Sequence, residues 1–199
     1  ERYEYFNNNN FGVGPQDDDG YYLHRLLLGA DLHLGSNVRV FAQGKSALID
    51  DREGGPRPQD ADEADIQQLF IDFKVPLPTG PKDSTTLRVG RQDLIYGAER
   101  FISPLDWTND RRTFEGFKLS TVFGNQTIDA FWVRPVLIEK EELNRGDDDT
   151  GFWGIYDTIL CPQLVTKDAG SRVEGYFLGV NKQKNTTTLV GSDTYTVGA

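Results

Sequence analysis

The sequence predicts an all-β chain whose strands lie antiparallel in one up-and-down sheet, and three features predict it. Apolar and polar residues alternate with a period of two through most of the chain. Turn-sized gaps separate the alternating runs. Short and long connections then follow one another in regular order. With 199 residues, 37% of them hydrophobic, the chain is long enough for one domain with a sizeable core.

The elements follow in order. A first strand is expected over 2–6. In the next run, Leu26, Leu28, Ala30, Leu32 and Leu34 share one face, while Arg25, Leu27, Gly29, Asp31 and His33 share the other. A helix would scatter Asp31 and His33 among apolar neighbours, whereas a strand separates them. Gly35, Ser36 and Asn37 form a tight hairpin turn. Beyond it, Val38, Val40 and Ala42 oppose Arg39, Phe41, Gln43 and Lys45. Leu69, Ile71, Phe73 and Val75 oppose Gln68, Phe70, Asp72 and Lys74 in the following run, and Leu87 and Val89 oppose Arg88, Gly90 and Gln92. Phe117, Leu119, Thr121 and Phe123 then oppose Phe114, Gly116, Lys118 and Ser120, and Ile128, Ala130 and Trp132 oppose Asp129, Phe131 and Val133. Further strands are expected over 151–158, 172–182 and 194–199. The total is about ten strands and no helix.

Short turns fall at 35–37, around 76–84 and at 124–126, and long polar stretches at 7–20, 50–65, 96–110 and 139–149. One end of the sheet therefore carries turns and the other long loops, the asymmetry of outer-membrane barrels. A soluble sandwich that buries its apolar face remains the alternative. The polar face mixes charge with Gly29, Gly90 and Gly116 and with Phe41, Phe70 and Phe131, as a crowded wet interior would. Tyr21, Tyr22, Tyr96, Trp107, Trp132 and Trp153 fall near strand ends, as an aromatic girdle would place them.

Composition narrows the function. No apolar run approaches the roughly 20 residues of a membrane-spanning helix. One Cys, Cys161, excludes a disulfide framework within the chain, and His24 and His33 are too few and too far apart for a closed zinc site. No spacing of nucleophile, base and acid marks an enzyme, and no cofactor fingerprint is present. The triplets of Asp at 17–19 and 147–149 lack the spacing of a calcium loop and read as solvated acidic loops. There are 31 acidic against 21 basic residues, a net charge of −10, which argues against a nucleic-acid partner. The charge is uneven: stretches 7–20, 50–65 and 139–149 hold 16 acids and 4 bases, leaving 15 acids and 17 bases elsewhere.

One ordered series is more specific than any alternation. It runs Leu87-Arg88-Val89-Gly90-Arg91-Gln92-Asp93-Leu94-Ile95-Tyr96-Gly97, then Glu99-Arg100-Phe101-Ile102, then Arg111-Arg112-Thr113-Phe114-Glu115-Gly116-Phe117. Here the sequence resembles the alginate-export family of outer-membrane porins. The stretches Leu23-His24-Arg25, Ala30-Asp31-Leu32-His33, Asp129-Ala130-Phe131-Trp132-Val133-Arg134-Pro135 and Phe152-Trp153-Gly154-Ile155-Tyr156 fit the same pattern. The resemblance implies a monomeric antiparallel transmembrane β-barrel of roughly eighteen strands in the bacterial outer membrane. It also implies passage of an anionic polysaccharide or oligosaccharide through an Arg-rich lumen, with lipid outside. About ten strands make only part of such a barrel. Residues 1–199 are thus expected to form a single incomplete domain, the N-terminal part of a longer protein, because open edges in lipid leave backbone groups unpaired.

A polyanion in transit needs positive charge that is spread out, so that no one site traps it. Arg25, Arg39, Arg88 and Lys118 have polar-face parity and are the first pore-lining candidates. Arg100, Arg111 and Arg112 flank the 96–110 loop, which is expected to fold inward as a constriction, and Arg134 ends its strand. Asp31, Asp72, Asp93 and Asp129 are the expected charge partners. Arg91 and Glu115 have apolar-face parity, where a charge at mid-bilayer costs roughly 2–4 kcal/mol. They are expected above the hydrocarbon, paired across their hairpin. A general small-solute porin and a soluble binding module are the alternative functions.

Overall fold

The structure, a computed structural model, describes residues 1–6, 18–139, 142–166, 169–183 and 191–198; the side chains of 162–166 and 169–170 lie outside that description. The strands are β1 (Arg2–Phe6), β2 (Asp19–Leu34), β3 (Val38–Asp50), β4 (Asp62–Pro76), β5 (Ser84–Gln92), β6 (Phe114–Phe123), β7 (Gln126–Leu137), β8 (Arg145–Gly146), β9 (Thr150–Thr166), β10 (Ala169–Lys182) and β11 (Ser192–Gly198). Each pairs antiparallel with its chain neighbour in one sheet, except that β9 pairs with β7 and the two-residue β8 lies off the path, against β7. No helix occurs among the described residues. The sheet is a meander and is not closed: β1 and β11 are its edges.

Several strands outrun their alternating segments. β9 continues to Thr166, and β4 begins at Asp62, inside the expected 50–65 loop. Asp62 and Asp65 enter the ladder because Lys45, Arg91 and Asn144 receive their carboxylates. The expected strand over 194–199 is β11, except that residue 199 lies outside the described residues, as do 7–17 of the first expected loop.

Burial is inverted relative to a soluble sheet. Leu28 is 67% exposed and Leu34 55%, whereas Asp72 is 6% exposed and Gln92 fully buried. No second sheet covers the apolar face among the described residues, as a sandwich would require. The girdle is only partly formed. Tyr21 is buried, Trp107 stands on a loop, and Trp132 sits in register with Phe117 and Trp153 on the apolar face.

Register gives the strand tilt. Val38, the first residue of β3, aligns through Phe73, Leu87 and Leu119 with Ala130, the fifth residue of β7. With the short turns level, this is a slip of four residues over four strand steps. At about 3.3 Å per residue and 4.8 Å per step, the strands lean by about 35°, within the range of barrel walls.

The long 93–113 segment identifies the concave face. It sets Phe101 at a tilt against Tyr176 of β10 at one end and accepts a hydrogen bond from Arg2 of β1 to the Trp107 carbonyl at the other. These two contacts lie six residues apart on the segment but eight strand steps apart in the sheet order. The sheet curls around the segment, with the polar face inside. Leu94 and Ile102 of the segment pack with Phe114, Phe131, Val133 and Leu178 of the strands in a buried apolar cluster.

Gly90 and Gly116 are register partners at this point, with φ of 129° and 149°. A Cβ on Gly90 would stand 2.2 Å from the Leu69 carbonyl oxygen, and one on Gly116 2.3 Å from that of Trp132. Gly90→Ala is therefore expected to lower stability by about 1–3 kcal/mol from backbone strain alone, read as a lower urea midpoint. At the turn end, Asp83 accepts the Gly124 N–H and the Thr79 hydroxyl, which hold its carboxyl below the ordinary value. A lowered native pKa contributes stability that is present above about pH 4 and is lost as pH falls through the native value. Asp83→Asn should flatten that acid limb of the unfolding midpoint plotted against pH.

Candidate functional site

The concave face carries a ladder of charges built by register. Arg39, Asp72, Arg88 and Lys118 stand directly opposite one another on β3, β4, β5 and β6. Arg88 grips Asp72 with two bonds of 2.7 and 2.8 Å, and its guanidinium lies 3.7 Å from the Phe70 ring centroid. Arg39 bonds Asp31 at 2.8 and 2.9 Å and reaches Asp72 at 3.5 Å. Arg88 and Lys118 would repel as register neighbours. The conflict is relieved because Lys118 turns to Asp129 at 3.7 Å, which also accepts the Tyr96 hydroxyl at 2.8 Å. Three cations thus meet three carboxylates.

The 93–113 segment is pinned at its far end by groups distant in sequence. Arg25 donates to the carbonyls of Asp106 and Thr108 at 3.1 and 3.0 Å. The Asn109 amide nitrogen donates to the carbonyls of His24, Leu48 and Asp60. Lys45, 5% exposed, sits between Asp62 at 3.0 Å and Asp110. Arg111 bonds Asp93 at 2.6 Å and reaches Asp106 at 3.1 Å. Burial raises the carboxyls of Asp93 and Asp110 above their ordinary values, against the lowering pull of Arg111 and Lys45 respectively.

The candidates thus divide. Arg39, Arg88 and Lys118 line the concave face but are committed to Asp31, Asp72 and Asp129; Arg25 and Arg111 hold the loop. Arg134 pairs with Asp148. Arg100 and Arg112 are exposed and have no ion-pair partner among the described residues. Arg91 and Glu115 face each other in register and bond at 2.6 Å, one residue before the end of β5. The Arg91 guanidinium also donates to the carbonyls of Ile66 and Asn144. Five charged or polar side chains thereby meet at the loop end: Asp65, Arg91, Glu115, Asn144 and Asp62.

Sequence reasoning assigned no site role to Lys45, Asn109, Glu174, Tyr156 or Tyr176 and expected Tyr96 in the girdle, whereas Tyr96 stacks on Tyr156, and Tyr156 on Tyr176. Lys45 has polar-face parity, and that was the only signal it gave. Its partners lie on β4 and on the loop, 17 and 65 positions away. Among the described residues, no group of three His, Cys, Asp or Glu is placed to hold a metal.

An open antiparallel meander with an apolar face and a charged face is consistent with part of a β-barrel. Residues 1–195 match the protein family described as Alginate export, and the chain belongs to that family. It is a family of transport porins and not of enzymes. No curated protein and no solved structure matches the chain.

Lys45→Met would leave Asp62 and Asp110 buried without their cation, a loss of about 3–5 kcal/mol. Faster cleavage within 93–113 in limited proteolysis is the expected result.

Proposed function

We infer that the chain is part of an outer-membrane barrel of roughly eighteen strands that passes an anionic poly- or oligosaccharide passively. The concave face lines the lumen, the apolar face meets lipid, and further strands join the open edges. The observation that carries this is the 93–113 segment folded across the concave face, with Arg100 and Arg112 exposed on it while Arg39, Arg88 and Lys118 of the wall are paired with carboxylates. A wall whose central charges are paired offers a polar surface without deep traps, and free guanidinium groups on the loop favour anions at the narrow point. Family membership supports a uronate polymer such as alginate as the solute.

Planar-bilayer recording of the full-length protein tests this. Anion selectivity and block by uronate oligomers are expected; cation selectivity without such block would overturn it. Asp72→Asn removes a wall carboxylate between Arg39 and Arg88, and should move the reversal potential in a KCl gradient further towards that of chloride.

A further inference from the structure

Between the 93–113 segment and the β9–β10 hairpin lies a cavity of about 240 Å³. Its wall is a flight of aromatic rings. Tyr96, Tyr156 and Tyr176 stack in turn with centroids 4.6 and 5.6 Å apart, and Phe101 tilts against Tyr176 at 5.6 Å. Tyr156 is buried, while Tyr176 is only half-buried and presents its ring to the cavity. Two charged groups stand on the rim. Glu174 accepts the Tyr156 hydroxyl and pairs with Arg172 at 2.9 Å, so its charge is already met. Arg100 is exposed, lines the cavity and has no ion-pair partner among the described residues.

The backbone keeps these groups reachable. Gly97, at φ 57°, passes so close that a Cβ there would stand 2.6 Å from the Tyr156 hydroxyl and 2.9 Å from a Glu174 carboxylate oxygen. An aromatic wall with a few polar groups at its edge matches a ligand that is apolar on one face and polar around its rim. A pyranose ring has those two surfaces. The volume lies below the ~300 Å³ at which pockets for drug-sized ligands begin, which suits one sugar ring and not an oligomer.

We propose that this cavity is a saccharide subsite taking one uronate unit of the passing chain, resting on the transport function proposed above. The C–H face of the sugar lies on the Tyr176 ring, its carboxylate pairs with the Arg100 guanidinium, and Glu174 accepts a ring hydroxyl. Binding at such a site is shallow and open to the lumen, so the unit leaves as the next arrives.

The test compares block of the full-length channel by a uronate hexamer and by a neutral glucose hexamer, in the unaltered protein and in Arg100→Gln and Tyr176→Leu. Arg100→Gln is expected to weaken uronate block about tenfold and to alter neutral block by less than about twofold, since a charge-assisted pair is lost and a stacking surface kept. Tyr176→Leu weakens block by both sugars. Arg100 is exposed, so its variant tests the subsite even where a Tyr176 variant folds poorly. If the variants are blocked by both sugars as the unaltered channel is, the subsite is overturned and the transport function stands. If the unaltered channel is indifferent to the uronate hexamer, both are overturned.

Discussion

A sheet that turns its apolar side chains outward must satisfy the backbone of its inner strands in its own ladders, because apolar surroundings supply no hydrogen bonds. The long strands follow from that constraint. The β2–β3 ladder runs unbroken from Tyr22 opposite Asp50 to Leu34 opposite Val38, and β9 and β10 pair over a similar length. Alternation then sends every second side chain into the concave space, where polar and charged residues must find partners among themselves. The stagger of register from β3 to β7 leans the strands, as the wall of a barrel requires. The curl in turn brings β1 and β10 within reach of one loop.

Inside, the electrostatics are set by neighbours. Asp72 is the pivot, held by Arg88 on one side and approached by Arg39 on the other. Aromatic rings line the same wall, so the guanidinium groups lie against Phe41 and Phe70 as well as against carboxylates. Such packing spends much of the wall's positive charge on structure. Exposed positive charge without an ion pair among the described residues stands on the 93–113 segment at Arg100 and Arg112 and on the strands at Lys74 and Lys182, and the segment is itself fastened by Asn109, Lys45 and Arg25. The two ends of the loop make different contacts: residues 104–111 hold it to β1, β2, β3 and the connection at 59–60, and residues 96–102 face β9 and β10.

The sheet, its two faces and most strand centres were legible in the sequence, because a period of two is a local property that any stretch of eight residues displays. Arg91 with Glu115, and Arg88 with Asp72, were also within reach of sequence reasoning, since adjacent hairpin strands constrain their own register. The extent of the strands was less so. Asp62 looks like loop until Lys45 and Asn144 are seen to receive its carboxylate, and residues 159–166 of β9 lack an alternation strong enough to announce a strand.

What the sequence determined by itself was the separation of apolar and polar faces, the up-and-down order and the family. What only the tertiary structure decided was which charges remain unspent. Arg25 and Arg39 have the same parity and the same chemistry, yet one holds the loop and the other the wall. Arg100 is indistinguishable from Arg111 in the sequence, yet only Arg111 finds a carboxylate. Ion pairing depends on distances between residues tens of positions apart, fixed by the curl of the sheet and the path of one loop, and no local pattern records either.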